Sequence, residues 1–318
     1  MIKSILSLTS IILSSLAFAF PSNIRHGYNS CAACHVSETG GGVLTPYGRM
    51  SSAEIMSTWG SETDAEPFFG LLRTSDSLDV GADYQAIYLK DRHFTMQKEA
   101  QAALNLSRKV YLVGSYGYYP DEPEVRKLFL QGAIDGNWTI KLGKFFPAYG
   151  IMSNEHLYAY RSRYFNQGSE TFTGEATFRT KDYEAIVSKI LGSEKDYDDG
   201  YLIGREGLSG RVSFTPTRSL NFGFSAIGLI DPKGDIETDA AIHILWGPWS
   251  WLWTEQQYSR EDQFARIGIE PFKGFTIRPT YSSNRGKEIG VQWLPYPHLD
   301  FQFIYSKDGS LGLLHYYL

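Results

Sequence analysis

Cysteine is nearly absent from this chain of 318 residues: Cys31 and Cys34 are present, with none beyond. A framework of disulfides stapling distant loops is therefore excluded. Long apolar runs are also missing. Past the first twenty residues no stretch of 18 apolar residues occurs, so the mature chain holds no membrane-spanning helix. Neither sign of charge is in large excess: 30 Lys and Arg stand against 35 Asp and Glu, a net charge of −5. No broad basic face is available for nucleic acid. Beyond about residue 75 no segment has the periodicity of a long amphipathic helix.

What is present begins with an export signal. Lys3 supplies a positive start, Ile5 to Leu16 an apolar stretch, and Ala17-Phe18-Ala19 a small-x-small cleavage site. The stretch is too short and too early to span a membrane; a retained N-terminal anchor is the competing reading. A signal peptide is expected over residues 1–19, with the mature chain starting near Phe20.

Residues 31–35 read Cys-Ala-Ala-Cys-His, the C-x-x-C-H signature of covalent c-type haem attachment. Cys31 and Cys34 are spaced to form thioethers with the two vinyl groups of one haem. His35 follows directly, placed to ligate the iron from the proximal side. A disulfide between the two cysteines, or zinc bound by Cys31, Cys34 and His35, are the competing readings. A structural zinc site needs a fourth ligand, for which His26 is the nearby candidate. Export leads to the compartment where haem c is attached, so one covalent haem c is the expectation.

From about residue 76 the chain reads as strand after strand. Period-two alternation appears in Val80-Ala82-Tyr84-Ala86-Tyr88, in Phe172-Gly174-Ala176-Phe178 and in Leu220-Phe222-Phe224-Ala226-Gly228-Ile230. It recurs in Trp249-Trp251-Trp253, Phe275-Ile277-Pro279-Tyr281 and Leu299-Phe301-Phe303-Tyr305, with polar residues such as Gln85, Ser225 and Arg278 between. Turn signals such as Asp135-Gly136, Asp199-Gly200 and Asp308-Gly309 separate the runs. About sixteen strands are expected, within a range of 14–18, each of roughly 9–13 residues. A soluble sandwich or propeller uses strands nearer 5–6 residues, whereas a bilayer needs about 9–11. Aromatics make up 15% of the chain, 21 of them tyrosine. Tyr116, Tyr118, Tyr119, Trp138, Trp246, Trp249, Trp293 and Tyr296 sit where interfacial girdles would lie. A mean hydropathy of −0.26 suits a barrel with a polar lumen and an apolar belt. The final run, Gly312 to Leu318, places Leu314, Tyr316 and Leu318 on one face and ends flush with the chain. The expectation is an all-β, antiparallel transmembrane β-barrel over residues 76–318.

Residues 20–64 form a separate segment. Gly40-Gly41-Gly42 and Pro46 allow tight wrapping of backbone, and Ser51 with Glu54 is a capping-box candidate for a short helix reaching Trp59 and closed by Gly60. This is too little chain for a cytochrome with its own complete core. The lumen of a sixteen-strand barrel is wide enough to receive it.

A signal peptide, a single C-x-x-C-H, the following Leu44-Thr45-Pro46-Tyr47-Gly48-Arg49 and a porin-like barrel together resemble the fused monohaem cytochrome–porins of the outer membrane. The likeness spans the whole chain in architecture and about residues 26–60 in motif. It implies location in the bacterial outer membrane, and electron transfer between an extracellular donor or acceptor, such as Fe(II), and a periplasmic electron carrier. This barrel is shorter than those of the iron-oxidising members, and no second motif fixes the donor.

For the distal iron ligand the candidates are Met50, Met56 and His26, with Met152 and His156 further along. Methionine ligation would raise the potential relative to two histidines. The stretch 143–165 lacks alternation and is read either as a lumen constriction lined by Glu155, Arg161 and Arg163 or as a solvated outer loop. Two functions remain open: a redox conduit, or a porin-like solute channel whose haem segment is a plug, anchor or sensor. A soluble periplasmic cytochrome with a β-domain is a third reading, should the strands not form a barrel.

Overall fold

The computed structural model describes residues 21–28, 30–37, 39, 41–70, 75, 77–118, 123–152, 170–192 and 205–318. The signal peptide expected over 1–19 lies outside them, as do Tyr119, Glu155, His156, Arg161 and Arg163.

The alternating runs become sixteen strands among the described residues. They are β1 (Leu78–Leu89), β2 (His93–Ser107), β3 (Val110–Tyr118), β4 (Pro123–Ala133), β5 (Trp138–Phe145), β6 (Thr171–Arg179), β7 (Tyr183–Ile190) and β8 (Glu206–Thr217). Then follow β9 (Leu220–Ile230), β10 (Ile236–Trp249), β11 (Leu252–Ser259), β12 (Gln263–Phe272), β13 (Phe275–Ser282), β14 (Gly286–Trp293), β15 (Leu299–Ser306) and β16 (Gly309–Tyr317). Every strand pairs antiparallel with its sequence neighbours, and β1 pairs with β16 from Asp83↔Tyr317 to Leu89↔Leu311, closing the barrel. Lengths run from 8 residues in β5 to 15 in β2. Closure leaves no unpaired edge, which a hydrocarbon surround requires.

Polarity is reversed relative to a soluble protein. In the register pair Val212↔Phe224, both side chains point outward and are more than half exposed; the neighbouring pair Arg211↔Ser225 points inward and is buried. Leu104, Leu112, Leu128, Leu142, Val187, Phe303 and Tyr305 continue the outer belt, while Gln97, Glu99, Glu175, Ser209 and Arg278 line the inside. Each such outward apolar side chain would gain about 1.5–3 kcal/mol on leaving water. A lipid surround provides that gain without changing the fold. Among the girdle candidates, Tyr116, Tyr118, Trp138, Trp246, Trp249 and Tyr296 are exposed.

Three local expectations are corrected. Trp249-Trp251-Trp253 is not one strand: Trp249 ends β10, Trp251 lies in the turn and Trp253 is an inward residue of β11, 2% exposed. The first two instead stack outside the hairpin, with ring centroids 5.4 Å apart. The short helix begins earlier than Ser51. It is α1 (Pro46–Ser51), because Thr45 accepts a hydrogen bond from the Gly48 N–H at 3.1 Å and Pro46 occupies the first helical position. A wider turn over Ser52–Met56 follows it. Leu318 does not share the half-buried outer face of Leu314 and Tyr316; it is 2% exposed beyond β16, its N–H donating to the Ala82 carbonyl at 2.8 Å.

Consecutive antiparallel strands alternate their turns between the two ends of the barrel. The chain enters β1 and leaves β16 at the same end, and β5 and β7 finish at the other. The inner wall is not uniformly polar. Ala103, Val113, Phe129 and Phe145 form one apolar patch; Leu245, Trp253 and Phe264 a second; Ile190, Ile227, Leu229 and Ala241 a third. Segments folded into the lumen cover all three.

Candidate functional site

The N-terminal segment lies against the inner wall from its first described turn onward. Ile24 is wholly buried and joins the patch of Leu245, Trp253 and Phe264. Beside it, Arg25 ion-pairs with Glu270 of β12, and its guanidinium lies 4.1 Å above the Trp253 ring. Gly247 of β10 is required here, because a Cβ would overlap the Arg25 backbone.

The C-x-x-C-H residues form a single turn. Ser30 caps it, accepting from the Ala32 N–H at 3.4 Å, and the Cys34 and His35 N–H groups both donate to the Cys31 carbonyl at 3.2 and 3.0 Å. Gly41 and Gly42, at φ 71° and 77°, then reverse the chain, as the glycine run implied. The return stretch clips onto the turn: the Val36 N–H donates to Val43 O at 3.0 Å, and the Thr45 N–H to Cys34 O at 2.8 Å. The Thr45 hydroxyl donates to Ala33 O at 2.7 Å while capping α1. Gly48 sits so close that a Cβ would overlap the Cys34 carbonyl. The Leu-Thr-Pro-Tyr-Gly-Arg stretch is thus the clamp of the turn: Thr45 ties it, Gly48 lets α1 lie on it, and Arg49 donates to Leu44 O at 3.0 Å and reaches Asp79 of β1 at 3.4 Å.

The barrel wall holds the same unit from outside. Gln131 of β4 donates to Val36 O at 2.8 Å, and Lys141 of β5 donates to the Thr39 hydroxyl at 2.6 Å while ion-pairing with Glu175 of β6 at 2.7 Å. Val36 and Val43 fill the patch of Ala103, Val113, Phe129 and Phe145. Cys34 packs with Leu44, Tyr28, Ala33 and Tyr317 of β16. Burial, followed by the Glu184 carboxylate, pushes the Cys31 thiol up to about 11, with Arg211, Arg179 and Lys141 opposing.

The donor set fits a c-type haem. The two thiols are one turn apart and not joined as a disulfide. The His35 ring is buried, and its Nδ1 faces the Gly42 carbonyl at 3.4 Å, the kind of second contact that orients a metal-binding imidazole. Burial, opposed by the Gly42 contact, lowers its pKa to about 4, which keeps it in the neutral form a metal ligand needs. Among the described residues no group of three or more His, Cys, Asp or Glu converges as a metal site, so the zinc reading with His26 gains no geometric support.

The distal candidates are scattered. Met50 is 41% exposed on α1. The His26 Nε2 accepts from Arg25 Nε at 2.9 Å. Met56 lines a lumen cavity with Arg25, Trp253, His315 and Tyr317, and Tyr317 also packs on Cys34. Met152 is half-buried at the far end of a second inward stretch.

That stretch, residues 146–152, folds into the lumen; Glu155, Arg161 and Arg163, which the constriction reading needs, lie outside the described residues. Tyr149 donates to Asp239 at 2.8 Å and packs on Ile190, Ile227, Leu229 and Ala241; Ile151 joins the cluster of Ile24 and Trp253. Backbone N–H groups of Gly150 and Ile151 donate to Ser225 and Gln257 of the wall at 2.9 and 2.7 Å. Sequence reasoning missed these lumen docking patches. Their signal was present as apolar residues at the polar parity of their strands, such as Val113 beside Ser115 and Phe129 beside Gln131.

Against known proteins, no family model and no curated protein matches the chain. Solved structures do. A triple mutant of the Rhodopseudomonas blastica porin superposes with a TM-score of 0.55 at 9% identity, over 76% of this chain and 99% of that one. Another mutant of that porin gives 0.53 at 10% identity with the same coverage. A structure described by the words asymmetric conductivity of engineered proteins gives 0.55 at 9%. At such low identity the likeness shows the fold: a porin-type β-barrel of sixteen strands.

Proposed function

We propose that the protein is a porin-like channel of the bacterial outer membrane whose lumen carries a plug bearing one covalent haem c. The observation that carries the proposal is the clamped Cys31-Cys34-His35 turn, held by Gln131, Lys141 and an apolar patch of a barrel whose outer face suits lipid. The channel part draws its support from the porin-type fold, as the motif comparison with cytochrome–porins does not extend to the solved structures. The domain division follows: signal peptide 1–19, haem segment 20–64, barrel 76–318.

In this reading Cys31 and Cys34 would hold the haem covalently and His35 would ligate its iron, with Met56, Met50 and His26 as candidates for a further ligand. Bound there, the group would supply one-electron chemistry. The surrounding residues hold the turn in place, exclude bulk water from Cys34 and keep His35 neutral. Export through the cleaved signal would deliver the chain to lipid of the outer membrane.

A second reading, electron transfer, is favoured by the motif itself, since a simple pore has no need of a redox centre on its plug. One haem is about 10 Å across, whereas the apolar band of such barrels is about 25 Å tall. A periplasmic electron carrier and an extracellular donor or acceptor, Fe(II) among them, would therefore have to approach the lumen from its ends.

Haem staining after denaturing electrophoresis tests the shared premise. Stain that survives in the wild type and vanishes in the Cys31→Ala/Cys34→Ala variant is expected; covalent stain persisting in that variant overturns it. Ion conductance in planar bilayers and optical titration with redox mediators then separate the channel from the conduit.

A further inference from the structure

Residues 58–70 leave the lumen and cross the rim of the barrel. The N–H groups of Thr58 and Trp59 donate to Leu294 O and Pro295 O, each at 2.8 Å, between β14 and β15. The Thr58 hydroxyl donates to Lys273 O at 2.9 Å and accepts from the Trp293 indole at 3.1 Å. Trp293 pairs in register with Phe275 and Phe301, on the outward face. Trp59 therefore lies outside the wall, 55% exposed, with its ring 5.6 Å from Trp293 and 5.8 Å from Tyr296. The chain turns back in at Ala65, which is 2% exposed and whose carbonyl faces His298 at 3.3 Å.

It then emerges a second time. Phe68 and Phe69 stand at φ 52° and 57°, followed by Gly70 at 84°. Two consecutive bulky residues in the left-handed region are costly and persist only where surrounding contacts hold them. The turn exposes both rings, at 41% and 46%, and sets each 6.4 Å from Tyr316. Tyr316 pairs with Leu299 and Tyr84 on the outer face of the β1–β16 seam. Trp59, Phe68 and Phe69 thus extend the girdle of Trp293, Tyr296 and Tyr316 using residues that belong to no strand.

We propose that residues 58–70 form a collar that inserts Trp59, Phe68 and Phe69 into the phospholipid interface at this end of the barrel, mooring the lumen segment to the bilayer. The inference rests on the membrane placement proposed above. Its occupant is fixed by continuity with the lipid-facing girdle: the Trp59 indole, with one polar edge and an apolar body, belongs at the headgroup boundary, and the wholly apolar rings of Phe68 and Phe69 on its acyl side. Left in water, the same three rings would be an exposed apolar patch around an otherwise hydrogen-bonded rim.

The test uses the full chain in phosphatidylcholine vesicles brominated at acyl positions 6,7 or 11,12. Subtracting the emission of a Trp59→Phe variant isolates Trp59 from the six other tryptophans; heat-modifiable migration verifies the fold, and Trp59→Tyr serves if Phe is not tolerated. The difference emission is expected to fall at least twofold with the shallow bromines and less with the deep ones. An unquenched Trp59 beside quenched girdle tryptophans would overturn the collar and point to a protein-docking or solvated role. If all tryptophans are unquenched, the membrane placement itself fails, and the collar with it.

Discussion

Replacing Arg25 by Ala removes the ion pair that holds the first turn of the lumen segment to the wall. The Arg25 and Glu270 side chains are 6% and 7% exposed, and the guanidinium also covers the Trp253 ring. Truncation strands the Glu270 carboxylate, and breaking a buried pair on one side costs about 3–5 kcal/mol. Glu270 keeps the Gly274 N–H at 3.0 Å and can recruit water from the lumen, so the lower end, about 3 kcal/mol, applies. At about 1.4 kcal/mol per decade, the undocked population should rise roughly a hundredfold. Protease cleavage within residues 21–57 reads that population when opening is fast relative to cutting; planar-bilayer conductance reads it independently. The double variant Arg25→Ala/Glu270→Gln leaves no stranded charge and should return to within about tenfold of wild type, the residue being the lost cation–π contact of about 1 kcal/mol. Unchanged cleavage in Arg25→Ala, or a double variant no better than the single, would refute the reasoning.

Gly48→Ala forces a methyl into the Cys34 carbonyl, so the clamp should loosen by about 1–3 kcal/mol, measured as earlier thermal release of the segment. His298, buried between the rim and Ala65, has its pKa lowered to about 4, first by burial and then by Arg49. Because its folded pKa lies below the unfolded value near 6.5, its contribution is present above pH 6.5 and lost as pH falls toward 4. The change amounts to about 3 kcal/mol. Protease sensitivity of residues 58–70 should rise across that window, and His298→Gln should flatten the rise; an equal slope in the variant rejects His298 as the titrating group. Residues 20–64 expressed alone with the haem-attachment machinery should give a protease-sensitive product whose haem spectrum differs from that of the full chain, and a compact fragment with the full-length spectrum would show that the wall is dispensable.

The barrel was legible in the sequence because its signal is repeated: outward and inward residues alternate along strands long enough for a bilayer, and a one-residue slip would turn every side chain over. The turn at residues 31–35 was legible because its residue types are chemically specific. The position of α1 was misread because Ser51 and Glu54 mimic a cap, while Thr45 with Pro46 supplies a better one six residues earlier, in a clamp whose tertiary contacts favour it. Trp249-Trp251-Trp253 was misread because a tight hairpin keeps the spacing of aromatics across its turn. The wall contacts of Gln131, Lys141 and Glu270 join residues about a hundred or more positions from their partners in the chain, and no local pattern announces them. The collar went unread for a different reason: two phenylalanines at positive φ obey no propensity.

The place where Val43 rests ties the seating of the segment to the joint between the first strand and the last. A Cβ on Gly81 would lie 2.7 Å from the Leu318 carbonyl and 3.4 Å from the Val43 Cα, while the Leu318 N–H is tied to Ala82. Lumen segment, first strand and last residue meet at one point, and the segment is continuous with that first strand. A substitution that unseats the segment at Val43 is therefore expected to disturb the joint that closes the barrel, and one that opens the joint to loosen the segment.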